Sequence, residues 1–199
     1  MPIKALQMQR LVISVMVLLG MAFASPASAE ISVFSCEPEW EALVREVGGG
    51  NVKAYSGTHS RQDPHHIRAK PSLIAAIRHA DLLICSGAGL EVGWLPILLR
   101  RGARAELQPG QPGHLMASKY VRVLEKPAIV DRSLGDIHPE GNPHVHLYAR
   151  NLVPIAHELA RRLQTVDTTN AAAYAQRTEA FARKWSRLLA EWEIRAATL

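Results

Sequence analysis

The segment that most limits the fold is Asp81-Leu82-Leu83-Ile84-Cys85. Three consecutive branched apolar residues behind a polar one fit a strand covered on both faces, and such strands belong to parallel sheets with helices on either side. The neighbouring chain keeps the same rhythm. Ile31 to Ser35 alternates apolar and small polar residues, and Pro38 suits the first turn of a helix carrying Trp40, Leu43, Val44 and Val47 at helical spacing. Gly48, Gly49 and Gly50 stop that helix before a second strand at Val52 to Tyr55. Pro71 opens a further helix, with Leu73, Ile74 and Ile77 on one face, and Trp94 to Leu99 follows the Ile84 strand as a short helix. Strand alternating with helix in this way predicts an α/β fold: a parallel sheet flanked by helices.

Beyond Leu99 the pattern loosens. Pro109 to Gly113 is rich in Pro and Gly, Val121 to Leu124 and Ala128 to Val130 are expected as strands, and Arg132 to Asn142 reads as loop. Pro154 starts a helix with Ile155, Leu159 and Leu163. Asp167 is the expected N-cap of a long C-terminal helix, whose stripe of Tyr174, Phe181, Trp185, Leu188 and Trp192 needs a partner surface.

The first thirty residues read as a leader. Lys4 and Arg10 precede an apolar run from Leu11 to Ala24, and Ala27-Ser28-Ala29 offers a peptidase site, so residues 1–29 are expected to be a secretory signal peptide cleaved after Ala29. The run is shorter than the ~20 residues of a bilayer-spanning helix, so no stable membrane insertion is expected after cleavage. The formal net charge of +5 includes Lys4 and Arg10 and is scattered elsewhere, which excludes a nucleic-acid footprint. The pairs Arg100-Arg101 and Arg161-Arg162 read as solvated helix faces. In an exported chain the two cysteines, Cys36 and Cys85, form a candidate disulfide: if their strands are neighbours, their ends lie close enough.

Nine histidines are the chemical signal. Two clusters stand out: Asp63-Pro64-His65-His66, in a loop after a strand, and the run from His138 to His146 that contains Asn142-Pro143-His144. Imidazole is the commonest metal ligand, and open α/β folds place ligands at the carboxyl edge of the sheet. Against this, adjacent histidines in a loop and His-x-His pairs are most often solvent-exposed. His79 suits a helix C-terminus, while His59, His114 and His157 are read without a metal role. Gly87-x-Gly89 is read as a turn. No His-Glu-x-x-His, Gly-x-Ser-x-Gly or Cys-x-x-Cys is present. A metal-dependent hydrolase would need Glu140 or Asp136 as its base and ranks last; a Cys36–His nucleophile competes with the disulfide.

Taken in order, Asp63-Pro64-His65, Pro71-Ser72, Ala80-Asp81-Leu82-Leu83-Ile84, Gly87-Ala88-Gly89-Leu90-Glu91 and Asn142-Pro143-His144 closely resemble the zinc/manganese solute-binding proteins of bacterial ABC importers. The resemblance runs through residues 30–199. It implies two α/β lobes joined by a long helix, a metal in the cleft between them, a periplasmic location, a membrane permease as partner and no enzymatic activity. His65 and His144 match the first lobe's two ligands. His66 and His146 lie beside those positions, and His138 falls where many zinc members carry a His-rich loop, as a scavenging or transfer group. The family's third ligand, His or Glu, and its Asp have no counterpart in these residues. The resemblance therefore divides the chain into a lobe at 30–165 and a linking helix at 166–199, with the second lobe missing. The expected protein is a monomer that binds Zn²⁺, with Mn²⁺ as the alternative, in a weak site completed by water or by His66, His138 or His146. A remnant that folds but transports nothing is the competing reading.

Overall fold

The computed structural model describes residues 30–131, 135 and 137–198. The expected leader at residues 1–29, Asp136 and the Arg132–Leu134 part of the expected loop lie outside them. Four parallel strands, β1 (Ile31–Ser35), β2 (Val52–Ser56), β3 (Leu82–Cys85) and β4 (His114–Met116), form one sheet in the order β2-β1-β3-β4. Register pairs Val33 with Ala54 on one side and with Leu82 on the other, and Leu83 with His114.

Alternation along each strand sorts the core into two layers. Val33, Leu82, Ile84 and Leu115 face α1 (Pro38–Gly48), α4 (Leu152–Val166) and α5 (Ala171–Ala196). Phe34, Leu83 and Cys85 face α2 (Pro71–Arg78) and α3 (Leu95–Arg101). Each fully buried Leu or Ile contributes ~1.5–3 kcal/mol, and β3 is buried at every residue, as its unbroken apolar run requires. Among the described residues no helix is long and apolar enough to cross a membrane.

The stripe on α5 packs back on this core. Tyr174 and Phe181 are buried and Trp185 is half-buried, while Trp192 and Ile194 are exposed. Arg177 ties the helix to the end of α1 through Val47 O (2.8 Å) and Asn51 Oδ1 (2.9 Å). Asp167 caps a 3-10 turn, Thr168–Asn170, rather than α5 itself, which starts at Ala171; its Oδ2 also accepts the buried Tyr174 hydroxyl at 2.7 Å.

Three further expectations need correction. Val121–Leu124 and Ala128–Val130 are not strands; the fourth strand is His114–Met116, which puts His114 in the sheet with Nδ1 2.8 Å from Leu107 O. Glu125 adopts φ 55° and Pro127 follows, which breaks an extended run. Arg162 is not solvated: its side chain is 12% exposed and reaches Glu158, the Tyr120 hydroxyl and the carbonyls of Gln111 and Pro112. Arg100, Arg101 and Arg161 do face solvent.

Candidate metal centre

In the order β2-β1-β3-β4 the chain moves outward from β1 to β2 and then to the other side of β1. The crevice at the carboxyl ends of β1 and β3 is thus the topological switch point where such sheets hold ligands. Cys36 and Cys85 leave those two strand ends and are joined by a disulfide, with Cα atoms 4.8 Å apart. Glu91 approaches the two sulfurs, but their bond to each other leaves no thiolate to hold a metal. Behind them, Glu91 accepts the backbone N–H groups of Ser86 (2.8 Å) and Gly87 (3.1 Å), and Glu37 accepts the Ser86 hydroxyl at 3.2 Å. Both carboxyls are buried. Burial first, then the Glu91 charge, pushes the Glu37 carboxyl well above its ordinary range; burial raises Glu91 to about 7 against the pull of its N–H donors.

Two loops of the same design overhang this edge. In each, an Asx residue is followed by Pro and His, and the Asx side chain accepts the histidine's backbone N–H: Asp63 Oδ1 from His65 at 3.0 Å, Asn142 Oδ1 from His144 at 2.9 Å. Pro fixes φ between them, so each histidine leaves its turn in a set direction. Trp94 Nε1 donates to Pro64 O at 2.9 Å and anchors the first loop to the start of α3. The second loop rests on the 121–125 segment, where Asn142 N donates to Leu124 O (2.8 Å) and Asn142 Nδ2 to Glu125 (2.8 Å).

The result is a cleft of about 400 Å³ walled by His65, Glu125, Ile137, His138, Asn142 and His144. The His65 and His144 rings lie 5.7 Å apart, centre to centre, and are steeply inclined at 66°. His65 Nδ1 is 2.7 Å from Asp63 Oδ1, and its Nε2 is 3.0 Å from His138 Nε2. Burial first, and then the neighbouring His65 and His146, depresses the pKa of His144 and favours the neutral imidazole that a metal needs.

The other histidines are sorted by the same geometry. His66 is 68% exposed, 3.9 Å from Asp63, and is not part of the cleft wall. His146 faces Glu39 at 3.2 Å and stands edge-on to Trp40 and His144, outside the cleft lining. Glu140 lines a separate hollow on the Gly87–Glu91 side rather than the histidine cleft. Asp63, Asn142 and Trp94 went unassigned in the sequence, although the repeated Asx-Pro-His spelling carried the signal for the first two.

Residues 33–199 match the family model described as zinc-uptake complex component A, periplasmic. Curated relatives include the metal ABC transporter substrate-binding lipoprotein ScbA of Streptococcus cristatus, 23% identical over 81% of this chain and 50% of its own length. Another is the manganese ABC transporter substrate-binding lipoprotein scaA of Streptococcus gordonii, 22% identical over 81% and 50%. The chain thus spans about half the length of the curated relatives it matches. Among solved structures, a crystal structure of ZnuA superposes with a TM-score of 0.64 at 21% identity, covering 80% of this chain and 56% of that one. The Mn-bound periplasmic metal-binding protein of Candidatus Liberibacter asiaticus gives 0.62 at 17%, covering 78% and 53%. With the family model spanning residues 33–199, the chain belongs to the periplasmic zinc-uptake component A family of metal-importer substrate-binding proteins.

Proposed function

We propose that this protein captures a divalent transition metal outside the cytoplasm, zinc in the first place, and presents it to the membrane permease of an ABC importer. His65 and His144 are the ligands. The observation that carries the reading is the convergence of two Asx-Pro-His turns, from loops seventy-odd residues apart, on one cleft with ring centres 5.7 Å apart. Imidazole donors favour zinc, whereas manganese prefers sites rich in carboxylate and water oxygens. The carboxylate that lines the cleft, Glu125, is engaged by Asn142. The role is binding and transfer rather than catalysis: of the two carboxylates considered as a base, Glu140 lines another hollow and Asp136 lies outside the described residues.

Isothermal titration of the purified protein with Zn²⁺ and with Mn²⁺ tests this. One zinc should bind with measurable heat, manganese more weakly, and the double variant His65→Ala/His144→Ala should lose the zinc heat. An unchanged titration for the double variant rules out the ligand assignment.

A further inference from the structure

We infer that His138 is a third protein ligand, so that His65, His138 and His144 form a three-imidazole metal site inside this one lobe. The inference rests on the reading of His65 and His144 as ligands and extends it to a residue just upstream of His144 on the same connection.

Distance is the first argument. His65 Nε2 and His138 Nε2 are 3.0 Å apart across the cleft. Two nitrogens bound to one zinc at ~2.0–2.1 Å and a tetrahedral angle are separated by about 3.3 Å, so the pair already stands near the bite of a chelate. For this pair an ion would take the place of the shared hydrogen-bond proton with a shift of a few tenths of an ångström. The His144 nitrogens stand outside a common 4.8 Å cluster with them, and that ring must turn in by more than an ångström.

Protonation is the second. Asp63 Oδ1 lies 2.7 Å from His65 Nδ1, which places the ring proton on that nitrogen and the lone pair on Nε2, the atom that faces His138. A carboxylate behind a histidine whose other nitrogen points into a cleft is the arrangement that orients metal-bound imidazoles. His144 lines the same cleft as His138, with its ring 5.7 Å from that of His65, near enough for it to turn in and complete the set.

Packing behind His138 is the third. The turn after β3 passes close beneath it at Gly89, whose φ is +86° and where a Cβ would sit 3.4 Å from His138 Nδ1. A glycine there lets the backbone support the far side of the ring while Nε2 faces His65. Three imidazoles leave the fourth tetrahedral position open to water or an incoming ligand, as suits an ion that must later be released.

The test pairs mutagenesis with spectroscopy of the unaltered protein. Zn²⁺ affinity is read by competition with a chromogenic chelator for wild type, His138→Ala, His144→Ala and, as control, His66→Ala. His138→Ala should weaken binding at least tenfold with folding intact by circular dichroism, and His66→Ala should not. X-ray absorption on the zinc-loaded wild type should count three imidazoles. Two imidazoles, or a His138→Ala affinity equal to wild type while His144→Ala binds poorly, overturns the third ligand and leaves the proposed function standing. If His144→Ala also binds like wild type, both fall together.

Discussion

Asp63 grips His65 twice, taking its backbone N–H at 3.0 Å and standing 2.7 Å from its ring Nδ1. The first contact sets where the residue leaves the chain and the second sets how the ring is turned. The corresponding Asn142 has the backbone contact to His144, and its amide is spent on Glu125. The two turns are therefore alike in backbone and unequal in their hold on the ring.

That inequality gives a prediction. Asp63→Ala should lower zinc affinity by roughly 10–100-fold, the usual effect of removing the carboxylate behind a metal-bound imidazole. Asp63→Asn keeps an acceptor for the backbone N–H and should cost less. Chelator competition on both variants checks the order; an alanine variant equal to wild type would show that the ring is oriented by something else.

Gly141 supports the second turn. Its φ of +105° is strained for any L side chain, and a Cβ there would lie 2.5 Å from Leu124 O and 2.7 Å from Val123 Cγ1. Gly141→Ala should displace the Asn142–His144 turn, lowering both the melting temperature and zinc affinity. An Ala at Gly110, which also has positive φ but open space around it, should lower stability slightly through backbone strain and leave zinc affinity alone.

The sequence spelled out some of this and hid the rest. Strands β1 to β3 and the helices were legible because each buries a face at its own period, and β3 on both. Strand β4 was not, since three residues with Leu115 as their main core contact carry almost no pattern; it forms because β3 offers an unpaired edge. The β-prone residues of 121–124 drew the expectation of a strand, yet the Leu124 carbonyl accepts from Asn142 of the second loop instead. In the site, the Asx-Pro-His turns are local and so could be read. The meeting of His65 with His138 spans 73 positions and depends on how a loop lies over Gly89, which no local spacing encodes.

The carboxyl pair beneath the disulfide predicts a pH dependence. Glu37 and Glu91 both titrate above the range of an unfolded carboxyl, Glu91 at about 7. The folded state therefore holds protons that the unfolded chain has already released. Their stabilising contribution is complete below the unfolded pKa and is lost as pH rises, for Glu91 through about 7 and for Glu37 through its own raised value. Thermal melts should show a lower midpoint at pH 8 than at pH 5.5, by a few degrees. Glu37→Gln, which keeps the shape without the charge, should flatten that slope, and an equal slope in the variant would place its origin elsewhere.

Arg162 makes the opposite case, a charge whose partner is depressed. Burial opposes ionisation of Glu158, but hydrogen bonds from Arg161 and Arg162 outweigh it and hold the carboxyl at about 2. The same guanidinium spans the carbonyls of Gln111 (3.0 Å) and Pro112 (2.8 Å), so it clips the chain entering β4 to α4. Replacing it with Met preserves most of the stem and removes the donors, leaving two carbonyls short of a partner and the poorly exposed Glu158 carboxylate with Arg161 as its remaining guanidinium. We expect a loss of about 2–3 kcal/mol, or a melting point roughly 5–10 °C lower at neutral pH. The penalty should shrink as pH falls from the unfolded carboxylate range through about 2, where Glu158 takes up its proton and the pair no longer contributes. Melts of wild type and Arg162→Met at pH 7 and pH 3 measure this directly. A gap that is the same at both values would assign the loss to the carbonyl contacts and lost packing rather than to the ion pair.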